Sequence, residues 1–178
     1  MTDAAIELGE FFDWLWEDRD AWVYFPLKHP DNSFEKYFFH WPAQRRGAIN
    51  FVLKNAATSS DVYYAPAMFT RSNPRKEYVL GSNVLWVDFD GNAPKVWPTD
   101  VAPEPTLVLQ SSLDTNQHCY WRLDTFLSDV DLLEDRNRAL ALALHADTSG
   151  WDADQILRPP HTINQKRGIP TKLLRWER

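Results

Sequence analysis

The order of apolar and polar positions divides the chain into alternating helical and extended stretches. Over residues 4–18, Ile6, Leu8, Phe11, Phe12, Leu15 and Trp16 recur at helical spacing, which predicts an amphipathic helix. AWVYFPL (21–27) reads as a strand ending near Pro26. Pro30, Asn32, Ser33 and Pro42 mark 28–42 as a loop that also carries aromatics. Residues 43–57 read as a helix with a basic start, 61–65 as a strand and 66–78 as a basic loop. The strongest strand signal is VLWVDF (84–89), which enters a turn at Gly91-Asn92. A loop punctuated by Pro94, Pro98, Pro103 and Pro105 follows. Two further strands, 106–110 and 117–123, are joined by SSLDTN. The clearest helix spans 129–146, with Asp129 in its first turn. An irregular segment rich in polar and charged residues then leads to a last strand at 172–176. Helices and antiparallel strands mixed in this order predict an α+β fold.

The chain has 178 residues, a length suited to one domain with a substantial core. One cysteine, Cys119, excludes a disulfide framework and a cysteine-based zinc site. No apolar run approaches the ~18 residues of a membrane span, and the acidic start MTDAAIELGE lacks the basic region of a signal peptide. A net charge of −6 argues against coating nucleic acid by bulk charge. It leaves room for an enzyme with a local basic track and an acidic site. Aromatic residues make up 14% of the chain; most are expected in the core, although aromatic faces also stack on bases.

Three clusters carry candidate chemistry. Asp88 and Asp90 stand two apart at the end of an apolar strand, so both carboxylates project from one face. Such a pair either repels until a divalent cation relieves it, or is a solvated strand end that opens a turn. In SSLDTNQHCYWRL (111–123), Ser111, Ser112, Thr115, Asn116 and Gln117 precede His118. They offer hydrogen-bond donors suited to triphosphate oxygens, or ordinary turn chemistry. In GWDADQILRPPHTINQK (150–166), Asp152 and Asp154 repeat the acidic spacing, and Arg158, His161, Asn164 and Lys166 follow. Acid beside base suits a metal-bound nucleotide, or a salt-bridged surface loop, with Asp154 either supporting the other acids from behind or, as the favoured reading, exposed.

Taken in order, these clusters resemble the archaeo-eukaryotic primase superfamily in its phage and plasmid primase-polymerase branch, which includes RepB-type primase domains. The resemblance is strongest over residues 84–166. Asp88 and Asp90 match the first family motif, His118 the second, and Trp151-Asp152 the third, an apolar residue followed by an acid. RPPHTINQK matches the basic segment that follows, with His161 where the branch has glycine; Asn116 stands where the second motif has serine.

The resemblance implies a catalytic core with a modified RNA-recognition-like antiparallel sheet and an N-terminal α/β unit. It implies template-directed nucleotidyl transfer on single-stranded DNA, with two Mg²⁺ or Mn²⁺ ions and NTP or dNTP substrates. Asp88, Asp90 and Asp152 would be the metal-binding catalytic acids. His118, Arg158, Lys166, Ser112 and Asn164 would bind the nucleotide. Arg45, Arg46, Arg71, Arg75 and Lys76 form a candidate template track, and YFFHW (37–41) is either core or a stacking surface. A protein of this kind is expected to act in phage or plasmid replication in the host cytoplasm, as the N-terminal module of a longer protein. A helicase or priming domain would be its partner. The rival readings are a metal-dependent nuclease or phosphotransferase, a catalytically inactive origin- or DNA-binding module, and an unrelated α+β domain.

Overall fold

The computed structural model describes residues 2–177. Helix α1 (Asp3–Trp16) is capped by Thr2, whose hydroxyl accepts the Ala5 N–H, and Asp3 lies in its first turn. Its stripe of Leu8, Phe11, Phe12, Leu15 and Trp16 is wholly buried, as the helical spacing predicts. The Phe12 and Trp16 rings stack at 4.7 Å, and Phe25 meets both edge-on. The largest buried side chains are mostly Trp, Tyr and Phe, so the aromatic composition is in the main a core composition.

Around α1 runs an antiparallel sheet of eight strands. In chain order these are β1 (Ala21–Lys28), β2 (Phe34–Trp41), β3 (Asp61–Val62), β4 (Met68–Phe69), β5 (Val79–Asp90), β6 (Leu107–Gln110), β7 (Asn116–Leu127) and, at the end, β10 (Lys172–Trp176). The spatial order is β10-β6-β7-β5-β4-β1-β2, with β3 paired to β1. Helix α2 (Arg45–Ala56) packs by β2 and α1, and α3 (Val130–Ala143) packs along β5. A separate hairpin, β8 (Ile163–Asn164) with β9 (Ile169–Pro170), turns at Gly168 with φ 66°. The fold is α+β with an antiparallel sheet, as expected. Among the described residues no helix is long and apolar enough to cross a membrane.

Several boundaries differ from the sequence expectation. Residues 34–41 form a strand, not a loop, pairing with β1 from Phe34↔Lys28 to Trp41↔Ala21. Its turn-forming flanks mask the alternation of Tyr37, Phe39 and Trp41, whose rings meet Phe51, Phe25 and Trp16. β1 runs through Pro26, which pairs with Lys36 and accepts the Tyr63 N–H on its carbonyl. β5 begins five residues before the apolar run. The segment expected as irregular contains the β8–β9 hairpin and a bridge between Tyr64 and Leu157.

Candidate active site

The acidic end of β5 and the start of β7 form one wall of a cleft of about 270 Å³. The antiparallel register sets Asp88 opposite His118 and Asp90 opposite Asn116. His118 Nε2 lies 3.6 Å from an Asp88 oxygen, and the Asn116 amide donates to Asp90 at 2.5 Å. Ser111 and Ser112, both buried, close this end, with the Ser111 hydroxyl donating to the Asn116 carbonyl at 3.3 Å. The opposite wall comes from the chain after α3: Asp147, Arg158 and the hairpin residues Asn164, Lys166 and Arg167.

Burial, together with the charges of Asp147 and Asp90, pushes the Asp88 carboxyl up to about 7, against the opposing pull of Arg158. Burial and the Arg158 charge push His118 down to about 3, with the Arg158 backbone opposing, so the imidazole is neutral at physiological pH. Arg158 is itself held in a partly buried pair. It donates to Asp61 at 2.5 Å and to the Tyr63 hydroxyl at 2.8 Å, and its guanidinium lies over the Tyr63 ring.

Asp152, expected as the third acid, does not line the cleft; Asp147 does. After α3, His145 turns the chain at φ 56° and Ala146 is buried. The Asp147 N–H then donates to the Asp88 carbonyl at 2.9 Å, which carries Asp147 to the end of β5. Residues 151–153 have by then moved away along α3, with Trp151 against Arg138 and the Ala153 N–H on Glu134. Ala146-Asp147 is, like Trp151-Asp152, an apolar residue followed by an acid, and its position directly after a helix was the available signal. Asp154 is half-buried, not exposed; burial raises its carboxyl, with Asp152 and Glu134 adding to the effect. Tyr63 and Arg167 are further cleft residues to which no role was given from sequence, and Asn116, one of the expected donors, lines the cleft.

His161, in place of glycine, adopts φ 61°, a left-handed conformation that costs an L-residue about 1–2 kcal/mol. Its ring meets Glu7 of α1 at 3.2 Å, so the substitution keeps the glycine-like backbone path and adds a tie to α1.

None of the five residues of the expected template track lines the cleft. Arg45 donates to both Asp13 oxygens, at 2.6 and 2.5 Å, joining α2 to α1. With Arg46 it borders a separate, largely apolar hollow. Arg71 lies over the Tyr78 ring, Arg75 is 3.8 Å from Glu77, and Lys76 donates to Glu134 at 2.6 Å. In YFFHW, Trp41 is fully buried and Phe38 stacks on Tyr24 at 4.8 Å.

Three buried polar atoms of the cleft find no partner within the protein: Asn116 Oδ1, His118 Nδ1 and Asn164 Oδ1. Such atoms are rare in folded proteins because each forfeits its hydration. All three belong to residues that line this one polar cleft. The donor chemistry of Asp88, Asp90 and Asp147 fits Mg²⁺ or Mn²⁺, which take carboxylate, phosphate and water oxygens together. Among the described residues, no three such side chains already converge on a single point, so phosphate and water would have to complete the shell.

No family model matches the sequence, and no curated protein matches it. Solved structures do match in three dimensions. The archaeo-eukaryotic primase domain of a primase-polymerase from cyanophage S-2L superposes with a TM-score of 0.74 over 98% of this chain and 90% of its own, at 12% identity. This chain shares the fold of that primase-polymerase domain. The primase RepB′ is similar at TM-score 0.70 and 15% identity, over 97% of this chain and 56% of its own. The catalytic domain of RepB′ in complex with initiator DNA is similar at TM-score 0.67 and 16% identity, over 98% and 86%. The likeness spans both halves of the sheet in this primase-polymerase fold, not only the motif-bearing strands.

Proposed function

We propose that the chain is a nucleotidyltransferase that adds nucleotides to a strand paired with single-stranded DNA, as a primase or primer-extending polymerase of phage or plasmid replication. The observation that carries this reading is the composition of one cleft in a primase-polymerase fold. It combines the acids Asp88, Asp90 and Asp147 with neutral His118 and the Asn164–Lys166–Arg167 hairpin. Two divalent cations, when bound, would stabilise the attacking 3′-hydroxyl oxygen and the departing pyrophosphate. Asp88, Asp90 and Asp147 would hold them; Asp152 is outside this set. His118, Ser112 and Asn164 would hydrogen-bond phosphate oxygens, and Lys166 and Arg167 would neutralise their charge. Arg158, already paired with Asp61, would fix the wall near His118 more than it neutralises free phosphate.

The test is incorporation of labelled nucleotides on a single-stranded template, with and without a primer, in Mg²⁺ or Mn²⁺. Asp88→Asn and Asp147→Asn are expected to lower incorporation by about a hundredfold or more. Asp152→Asn should stay within about threefold of wild type. Loss in Asp152→Asn with activity kept in Asp147→Asn would overturn the assignment of acids. Template cleavage without nucleotides would favour a nuclease.

A further inference from the structure

Among the described residues, β4 pairs with β5 only at Val79 and Gly81, so β5 has no strand on that side where it carries Trp86 and Asp88. That edge is closed by side chains of α3 and by the segment that follows it. Asn137, fully buried, accepts the Trp86 N–H at 3.0 Å, and its amide reaches the Trp151 carbonyl at 3.5 Å. One turn earlier, buried Glu134 accepts the Ala153 N–H on one oxygen at 3.0 Å and Lys76 Nζ on the other at 2.6 Å. The Trp86 indole donates to the Gly150 carbonyl at 3.1 Å. At Gly150 the backbone passes so close that an added Cβ would lie 3.5 Å from the Asp88 Cβ.

We propose that Glu134 and Asn137 are positioning residues: together they clamp residues 147–153 against the bare edge of β5 and so place Asp147 beside Asp88. The proposal rests on the reading of Asp88 and Asp147 as partners in one site. A buried acid that only filled space would be replaceable by an apolar residue of similar volume at little loss. Glu134 instead spends both oxygens on chain segments on either side of it: Lys76, ahead of β5, and Ala153, after Asp147. The segment has no ladder of its own, so its path depends on these acceptors.

Two double variants separate the clamp from packing: Lys76→Met with Glu134→Leu, and Lys76→Met with Glu134→Gln. They differ only in whether an acceptor remains for the Ala153 N–H. Amide hydrogen exchange of the metal-free proteins and Mn²⁺ titration followed by electron paramagnetic resonance are the readouts. With Leu, amides of 147–153 should exchange about tenfold faster or more while β5 and β7 keep their protection. The Mn²⁺ dissociation constant should rise about tenfold. With Gln, both should stay near wild type. Equal protection in the two variants, or a uniform rise along the whole chain, would overturn the clamp. Should the Leu variant not fold, wild-type exchange decides: the Asp147 and Ala153 amides must be protected above their neighbours, and the clamp fails if they are not. Exchange as expected with no Mn²⁺ binding in any protein would sustain the clamp and overturn the metal-dependent reading. Mn²⁺ binding abolished by Asp88→Asn, with exchange alike in both variants, would do the reverse.

Discussion

Asp88 and His118 face each other across β5 and β7 and depart from ordinary titration in opposite directions. Asp88 binds its proton more tightly in the folded chain, so it contributes stability at low pH that is lost as pH rises from about 3.8 to about 7. His118 binds its proton more weakly when folded, so its contribution is present above about 6.5 and is lost as pH falls toward about 3. Asp88→Asn should therefore stabilise the protein by a margin that grows between about pH 4 and about pH 7 and then levels, worth several degrees in melting temperature. Urea unfolding across that range checks it, and a margin independent of pH would contradict the burial of Asp88. A proton on Asp88 also competes with a cation. Mn²⁺ affinity should rise close to tenfold per pH unit up to about 7 and flatten above it, as titrations at a series of pH values would show.

At the scale of elements, Gly81 is the position where β5 tolerates least change. It adopts φ 139°, and a Cβ there would sit 2.2 Å from the Leu127 carbonyl oxygen. Gly81→Ala should cost about 2 kcal/mol or more, read by chemical denaturation. Gly91 has positive φ as well but open space around it, so alanine there should cost only the backbone strain, roughly 1 kcal/mol. The turn at Gly91 is legible in the sequence; the requirement at Gly81 is not, because it arises from the register shift of β5 against β4 and its approach to β7. What was legible came from local periodicity: the stripe of α1, the apolar run of β5 ending in Asp88 and Asp90, and His118 at the head of β7. The same periodicity was hidden in β2 by its turn-forming flanks. The choice between Asp147 and Asp152 was beyond it, since both follow an apolar residue. A backbone hydrogen bond to β5 brings Asp147, and not Asp152, to the cleft, and spacing along the chain does not encode it.

At the scale of the molecule, the two halves of the sheet meet through the two residues of β4, and α1 lies against both. The buried hydroxyls of Tyr64 and Tyr120 join the halves at 2.6 Å. Tyr120→Phe removes one partner and leaves the Tyr64 hydroxyl buried without one, so it should cost about 1–3 kcal/mol, whereas the double change with Tyr64→Phe should recover part of the loss. Denaturation of the four proteins of that cycle measures the coupling. The indoles offer a way to watch each half separately. Trp16 and Trp41 lie 5.1 Å apart in the core beneath β1 and β2, while Trp97 and Trp121 lie 5.8 Å apart in the second core beside α3. Indoles at such separations couple optically and give intense near-ultraviolet circular dichroism when held rigid. The chain thus carries its own chiroptical reporters in both cores, with a further pair, Trp14 and Trp176, 6.5 Å apart against the first. If their signals vanish at the same denaturant concentration, the halves melt as a single cooperative unit.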